Sequence, residues 1–174
     1  MNTMNEVFDR YVQECIPRLS PRTQIDYARH VSILRKHFGE RVPADIKPRD
    51  VGRFLDVSTG KQHRNKQVAV LSAVMAKAMG KWYVDGVDSN PCHNVERHES
   101  HPRTRYVTDA EFAAVYAIAP PSVQMAMDFA LLIGQRQGDI LDLTWDNVHD
   151  THIEVQQSKT GKIAERRSDV GRTG

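Results

Sequence analysis

Two groups of side chains in this 174-residue sequence have the types and spacing to do chemistry. The first is basic. Residues 61–84 hold Lys61, Arg64, Lys66, Lys77 and Lys81 and no acid, while residues 16–53 hold nine basic side chains against four acidic ones. Clustered positive charge on helical segments is the footprint of a surface that neutralises phosphates, although an ordinary solvated basic face has the same composition. Arg22 and Thr23 follow a helix start at Ser20, and Lys61, His63, Arg64 and Lys66 stand at the start of the longest helical segment. Helix N-termini favour phosphate through their free amides as well, so these six residues are the candidate phosphate contacts. The second group, Cys92, His93, His98 and His101, has the ligand types of a zinc site. Its spacing matches no common structural zinc pattern, so a hydrophilic connecting segment is expected there, with no metal and no cofactor.

Bulk properties bound the answer. The chain is long enough for one ordinary domain or two small ones. Hydrophobic residues at 40% allow a core, and no apolar run approaches the length of a membrane span. The N-terminus mixes charges with single apolar residues and does not read as a signal peptide. Two cysteines, Cys15 and Cys92, give no disulfide framework and fit a reducing cytoplasm. Charge is unevenly spread: residues 1–100 carry 16 basic against 12 acidic side chains, and residues 101–174 carry 8 against 10.

These side chains need elements to position them, and the first hundred residues read as helical. Val7, Phe8, Tyr11, Val12 and Cys15 make a short amphipathic segment that stops near Pro17. Ser20-Pro21 pairs a serine N-cap with proline at the first helical position. Tyr27, Val31, Leu34 and Phe38 then form one apolar stripe before Gly39 ends the helix. Pro48 opens a helix carrying Val51, Phe54 and Leu55, and the longest segment, from near Gly60, carries Val68, Leu71, Met75, Ala78 and Trp82. Four helices joined by short loops predict a compact bundle over 1–85. Residues 86–106, with Gly86, Asn90-Pro91, Pro102 and few apolar side chains, read as a linker.

Thr108-Asp109-Ala110-Glu111 is a capping box opening a helix with Phe112, Val115 and Tyr116 on one side. A second helix, Ser122 to Gly134, is largely apolar and reads as buried, with more apolar surface than one face can cover. A short third segment runs through Asp139, Ile140 and Leu143 towards Trp145. Then Ile153 and Val155 alternate with His152, Glu154 and Gln156, and Lys159-Thr160-Gly161-Lys162 supplies the turn of a β-hairpin. The residues after 163 read as a disordered tail.

Three motifs in order make the sequence resemble the tyrosine recombinase (phage integrase) family. Ile133-Gly134-Gln135-Arg136-Gln137-Gly138-Asp139-Ile140-Leu141-Asp142-Leu143-Thr144-Trp145 is similar to the family's first arginine box. Gln157-Ser158-Lys159-Thr160-Gly161-Lys162 resembles its lysine-bearing hairpin, and Asn90-Pro91 with Arg103 to Glu111 resembles the joint between its two domains. The resemblance implies a mainly α fold: an N-terminal four-helix core-binding (SAM-like) domain over 1–85, a linker over 86–106, the first part of an α+β catalytic domain with its hairpin over 107–163, and a tail over 164–174.

It also implies chemistry. Members of this family cut DNA by attacking a backbone phosphate with a tyrosine. Arg136 would then hold the non-bridging oxygens, Lys159 would protonate the leaving 5′-oxygen, and Asp139 would be an orienting carboxylate. Arg22, Thr23, Lys61, His63, Arg64 and Lys66 would contact duplex DNA at an attachment or recombination site. The family's second box and nucleophile lie downstream of the hairpin, whereas Tyr11, Tyr27, Tyr83, Tyr106 and Tyr116 all precede Arg136, and neither histidine nor tryptophan follows Lys159. The expectation is therefore a C-terminally truncated, cytoplasmic recombinase that binds DNA, alone or with further copies or a full-length recombinase, and does not cleave by itself. A non-catalytic DNA-binding module that occupies recombination sites, and an unrelated helical interaction protein, are the alternatives.

Overall fold

The computed structural model describes residues 3–57, 61–99, 102, 104–159 and 161–167. The chain divides into two compact units, Met1–Pro102 and Arg103–Gly174.

The first unit holds α1 (Met4–Glu14), α2 (Pro21–Phe38), α3 (Pro48–Asp56) and α4 (Lys61–Gly80). The expected stripes face inward. Phe8, Val31, Leu34, Phe38, Val51, Phe54 and Leu55 are all buried in one cluster. From the other side α4 contributes Val68, Val70, Leu71, Val74, Met75 and Ala78. That apolar arc is wider than a single stripe, which is why α4 is the central helix, packed against α1, α2 and α3. Aromatic contacts tighten the ends: Phe38 meets Phe54 at a tilt at 5.3 Å, and Tyr11 meets Trp82 edge-on at 6.5 Å between ring centroids. Glu14 accepts hydrogen bonds from Arg10 (2.6 Å), Lys81 (2.9 Å) and the Trp82 indole (3.2 Å), tying α1 to the end of α4. Those donors hold its carboxyl well below the usual range, at about 2.

Gly39 ends α2, but for a reason other than backbone conformation. Its φ is −53°, open to any residue. A Cβ there would lie 2.5 Å from the Arg35 carbonyl oxygen and 2.5 Å from Asn5 Oδ1. The close approach lets the Asn5 amide donate to the Gly39 carbonyl at 2.9 Å, while the Met4 amide donates to Arg41 at 2.8 Å. Two of the free N–H groups at the start of α1 are satisfied in this way.

The stretch expected to be a linker packs onto this bundle instead. Val84, Val87 and Cys92 are buried in the same cluster. The Asn90 side chain donates to the Ser72 carbonyl at 2.9 Å and accepts from the Cys92 amide at 3.0 Å. Further on, Asn65 and His98 exchange two hydrogen bonds, of 2.7 and 3.1 Å. Amide pairing with α4 substitutes for the apolar side chains the segment lacks, so the first unit runs to Pro102 rather than ending near 85. Burial pushes the Cys92 thiol up to about 12, and the His98 ring lies 3.1 Å from the Leu55 carbonyl oxygen. Both are committed to packing this strap; His101 lies outside the described residues.

The second unit is thinner. It holds α5 (Asp109–Ile118), α6 (Pro121–Ile133), α7 (Gln137–Leu141) and a two-stranded antiparallel hairpin, β1 (His152–Gln156) with β2 (Ile163–Arg167). The capping box forms: the Glu111 amide donates to Thr108 Oγ1 at 3.3 Å and the Thr108 amide to Glu111 Oε2 at 3.0 Å. Gly134 stops α6 at φ +59°, a left-handed turn that favours glycine. In the hairpin Val155 pairs with Ala164 and Gln156 with Ile163, and Gly161, at φ +67°, sits in the turn. β2 continues to Arg167, so the beginning of the expected tail is strand; residues 168–174 lie outside the described residues.

α6, read as buried yet carrying more apolar surface than one face can cover, leaves Val123, Met125, Leu131 and Leu132 exposed, so the expected excess stays uncovered among the described residues. The buried cluster of this unit is small, Ile133, Ile140 and Val155, with Ala126, Phe129, Leu143 and Ile153 packed against it. Hydrophobic composition marked the helix correctly but not what covers it. No helix of the described residues is long and apolar enough to cross a membrane.

The contrast between the units is measurable. Leu71→Ala, at a site with no exposure, is expected to destabilise the first unit by about 2–5 kcal/mol in urea unfolding. Leu132→Ala, at a site 77% exposed, should change stability by no more than about 0.5 kcal/mol. Equal effects would contradict this placement of the cores.

Candidate nucleic-acid interface

In the second unit the chain leaves α6 at Gly134 and places Arg136 at the N-cap of α7, with extended backbone (φ −66°, ψ 147°). Asp139 follows in the first turn of α7 and is 2% exposed. Its Oδ1 accepts two hydrogen bonds from Ser158, from the amide at 2.9 Å and from the hydroxyl at 2.6 Å. Its Oδ2 faces Arg136 Nη1 at 3.6 Å, an ion pair too long to be a hydrogen bond, and has no hydrogen-bond partner among the described residues. The two Ser158 bonds are the main reason the Asp139 carboxyl is held below its ordinary range, and the Arg136 charge adds to them. A second tie, Gln157 Nε2 donating to Gln135 Oε1 at 2.9 Å, joins the same two segments.

One buried carboxylate thus touches both the residue expected to grip phosphate and the hairpin expected to carry the proton donor. Arg136 keeps its side chain half exposed, and Lys159 follows Ser158 directly, exposed at the hairpin turn. Sequence reading placed Asp139 beside Arg136 but assigned no role to Ser158, Gln135 or Gln157. Their bonding joins residues about twenty apart, which helix and strand periodicities do not reveal.

In the first unit, Arg22, Thr23, His63 and Lys66 line one cleft between α2 and the start of α4. Two further members, Arg29 and His30, were not singled out from sequence. The signal was available: Arg22, Asp26, Arg29 and His30 recur at helical spacing on one face of α2. Ser20 does cap α2, but its hydroxyl bonds the Thr23 hydroxyl at 2.8 Å rather than a backbone amide. Arg22 pairs loosely with Asp26 at 3.8 Å and is otherwise solvated. The His30 ring has its Nδ1 buried without a hydrogen-bond partner among the described residues. Burial is the first cause of its lowered pKa, with His63, Lys66 and Arg29 acting in the same direction and Asp26 opposing them. The lining itself is basic: Arg22, Arg29 and Lys66 face the cleft with Asp26 as the acid among them.

Two candidates stand elsewhere. Arg64 lies with its guanidinium 4.2 Å from the centroid of the Phe54 ring and 3.3 Å from Gln67 Oε1, committed to packing rather than offered to the cleft. Lys61 is the first residue of α4, and its side chain lies outside the described residues.

No protein-family model matches the chain. Among curated proteins, it is 31% identical to the integrase of Escherichia phage HK022 over 166 residues, covering 91% of this chain and 46% of that one. It is 26% identical to the integrase of Escherichia phage lambda over 170 residues, covering 93% of this chain and 47% of that one. Among solved structures it resembles a lambda integrase tetramer bound to a Holliday junction, with a TM-score of 0.83 and 21% identity over 96% of this chain and 51% of that one. It also resembles a lambda integrase dimer bound to a COC′ core site, with a TM-score of 0.85 and 23% identity over 95% of this chain and 60% of that one. The structural likeness extends through both units, and the chain spans about half the length of the curated relatives it matches. Ordered motifs, shared fold and matched relatives agree: the chain belongs to the tyrosine recombinase family of phage integrases.

Proposed function

We propose that this chain binds duplex DNA at a recombination site, gripping the backbone through the cleft of Arg22, Thr23, Arg29, His63 and Lys66, and presents Arg136 and Lys159 to a scissile phosphate. The observation that carries this reading is the Asp139–Ser158 pair, which holds the Arg136 helix start and the Lys159 hairpin turn together while leaving both cations accessible. Attack on a phosphodiester builds negative charge on its non-bridging oxygens, and a guanidinium offers paired donors to them. The lysine ammonium supplies a proton to the departing 5′-oxygen. Asp139 touches no substrate in this scheme; it positions both groups.

The nucleophile is not among these residues. Tyr11 is buried, Tyr27 packs against the first core, Tyr83 and Tyr106 are exposed in loops, and Tyr116 donates to Asp128 Oδ2 at 2.9 Å. None stands beside Arg136 or Lys159 in sequence, and none follows Tyr116. We read these residues as the site-occupying part of the reaction, working in the bacterial cytoplasm where the DNA lies, with second copies or a complete recombinase as partners. Relatives solved as dimers and tetramers on DNA support that partnership.

Incubated with a nicked duplex carrying its attachment site, the chain is expected to form no adduct that survives denaturant. A covalent protein–DNA product would overturn the site-occupying role.

Binding is expected to be dominated by phosphates. In fluorescence anisotropy at several salt concentrations, Arg22→Ala or Lys66→Ala should weaken affinity for all sequences and flatten the log–log salt slope by about 0.9 per lost phosphate contact. Lys77→Ala, exposed near the far end of α4, should leave the slope unchanged. Equal losses at all three positions would leave only a general basic charge and contradict the cleft.

A further inference from the structure

We propose that His149, His152 and Glu154 form a binding site for a divalent transition-metal ion of the Zn2+ class, closing the turn that leads into β1. Backbone geometry makes the juxtaposition. Val148 and Ile153 form an antiparallel bridge, and the His149 amide donates to the His152 carbonyl at 2.9 Å, leaving Asp150 and Thr151 as a two-residue turn. His149 and His152 therefore stand opposite each other at the closing pair of that turn. Glu154 lies two residues beyond His152 on β1, and the period of a strand returns it to the same side.

The side chains converge accordingly. One ligating atom from each residue lies within 4.8 Å of the other two, with His149 Nε2 and Glu154 Oε2 3.9 Å apart. The imidazole rings stack at 4.6 Å between centroids. Metal–ligand distances of about 2.0–2.2 Å require the three donors to draw together by roughly an ångström, within reach of side-chain rotation on solvent-accessible residues. Two imidazole nitrogens, one carboxylate and an open fourth position for water are the donor set of open zinc sites, and the carboxylate supplies negative charge for the cation. Thr151 Oγ1 stands 3.1 Å from His152 Nδ1, and a hydrogen bond at one ring nitrogen is how ligating histidines are commonly oriented. The sequence reading missed this group because it took His152 and Glu154 as the polar half of a strand's alternation and weighed metal ligation only for the cysteine and histidines of the strap. A bound ion would pin the entrance of β1, the strand whose exit leads to Ser158 and Lys159.

Titrating the intact chain with Co2+ tests the proposal. The expected result is one equivalent bound with visible d–d absorption, displaced by Zn2+, lost in His149→Ala and in His152→Ala, weakened in Glu154→Gln and unchanged in Cys92→Ser. In the unmodified chain, paramagnetic broadening of amide resonances should centre on residues 149–154. Absence of uptake, uptake retained in both histidine variants, or broadening centred elsewhere would overturn the site.

Discussion

The second unit depends on one buried carboxylate. Asp139 is almost fully removed from water, and a buried charge is costly unless it is paired and hydrogen-bonded. Ser158 supplies two donors to one oxygen, and Arg136 supplies the opposite charge beside the other. The hydrophobic contribution here is small, since the buried cluster is Ile133, Ile140 and Val155. Apolar contact alone is non-directional and does not decide where the tip of a hairpin rests against a helix start. A charged acceptor at a defined point on α7 does, and it decides it for Ser158 and Lys159 together. The residues expected to act on phosphate are thus located by a carboxylate that the proposed reading gives a positioning role alone.

The first unit is organised on the opposite principle. Its order comes from a broad apolar arc on α4 that three helices cover, with polar contacts added at the margins: Glu14 beneath Lys81 and Trp82, and Asn90 and Asn65 along the strap. Because the interior is apolar and closed, the basic side chains on α2 and the start of α4 remain outside, where they frame a cleft. The division of labour follows from this. On the proposed reading, the apolar bundle presents charge to the backbone, and the lightly packed unit, organised by directional hydrogen bonds, holds Arg136 and Lys159 near one another.

Legibility in the sequence tracked the range of each interaction. Ser20-Pro21, Pro48 and the Thr108–Glu111 box are local devices, and α2, α3 and α5 begin where they say. The Val31, Leu34 and Phe38 stripe is a helical period, and it is buried. Gly39 was recognised as a stop, while part of the steric reason lies thirty-four residues away in Asn5, beyond the local Arg35 carbonyl, and has no signature in the sequence. Of the linker expected over 86–106, the part up to His98 packs on the bundle, because composition counts apolar residues and does not see that asparagines pair along α4. Arg64 counted as charge although its guanidinium packs on Phe54, and the excess apolar surface of α6 was legible although not which of its residues stay exposed. Arg136, Asp139 and Lys159 were singled out by motif; the Asp139–Ser158 bond that relates them is a long-range fact that only the fold supplies.

The most direct measurement is an amide NMR titration of Ser158 and Lys159 into acid. Asp139 has a folded pKa below its ordinary value of 3.8, so the support it gives the hairpin is complete above that value and is lost as pH falls through the lowered one. Both amides are therefore expected to hold their positions through pH 3.8 and then shift together at a common, lower inflection that disappears in Asp139→Asn. An inflection at the ordinary aspartate pKa, or resonances that move independently of each other and of Asp139, would contradict the coupling of helix start to hairpin turn.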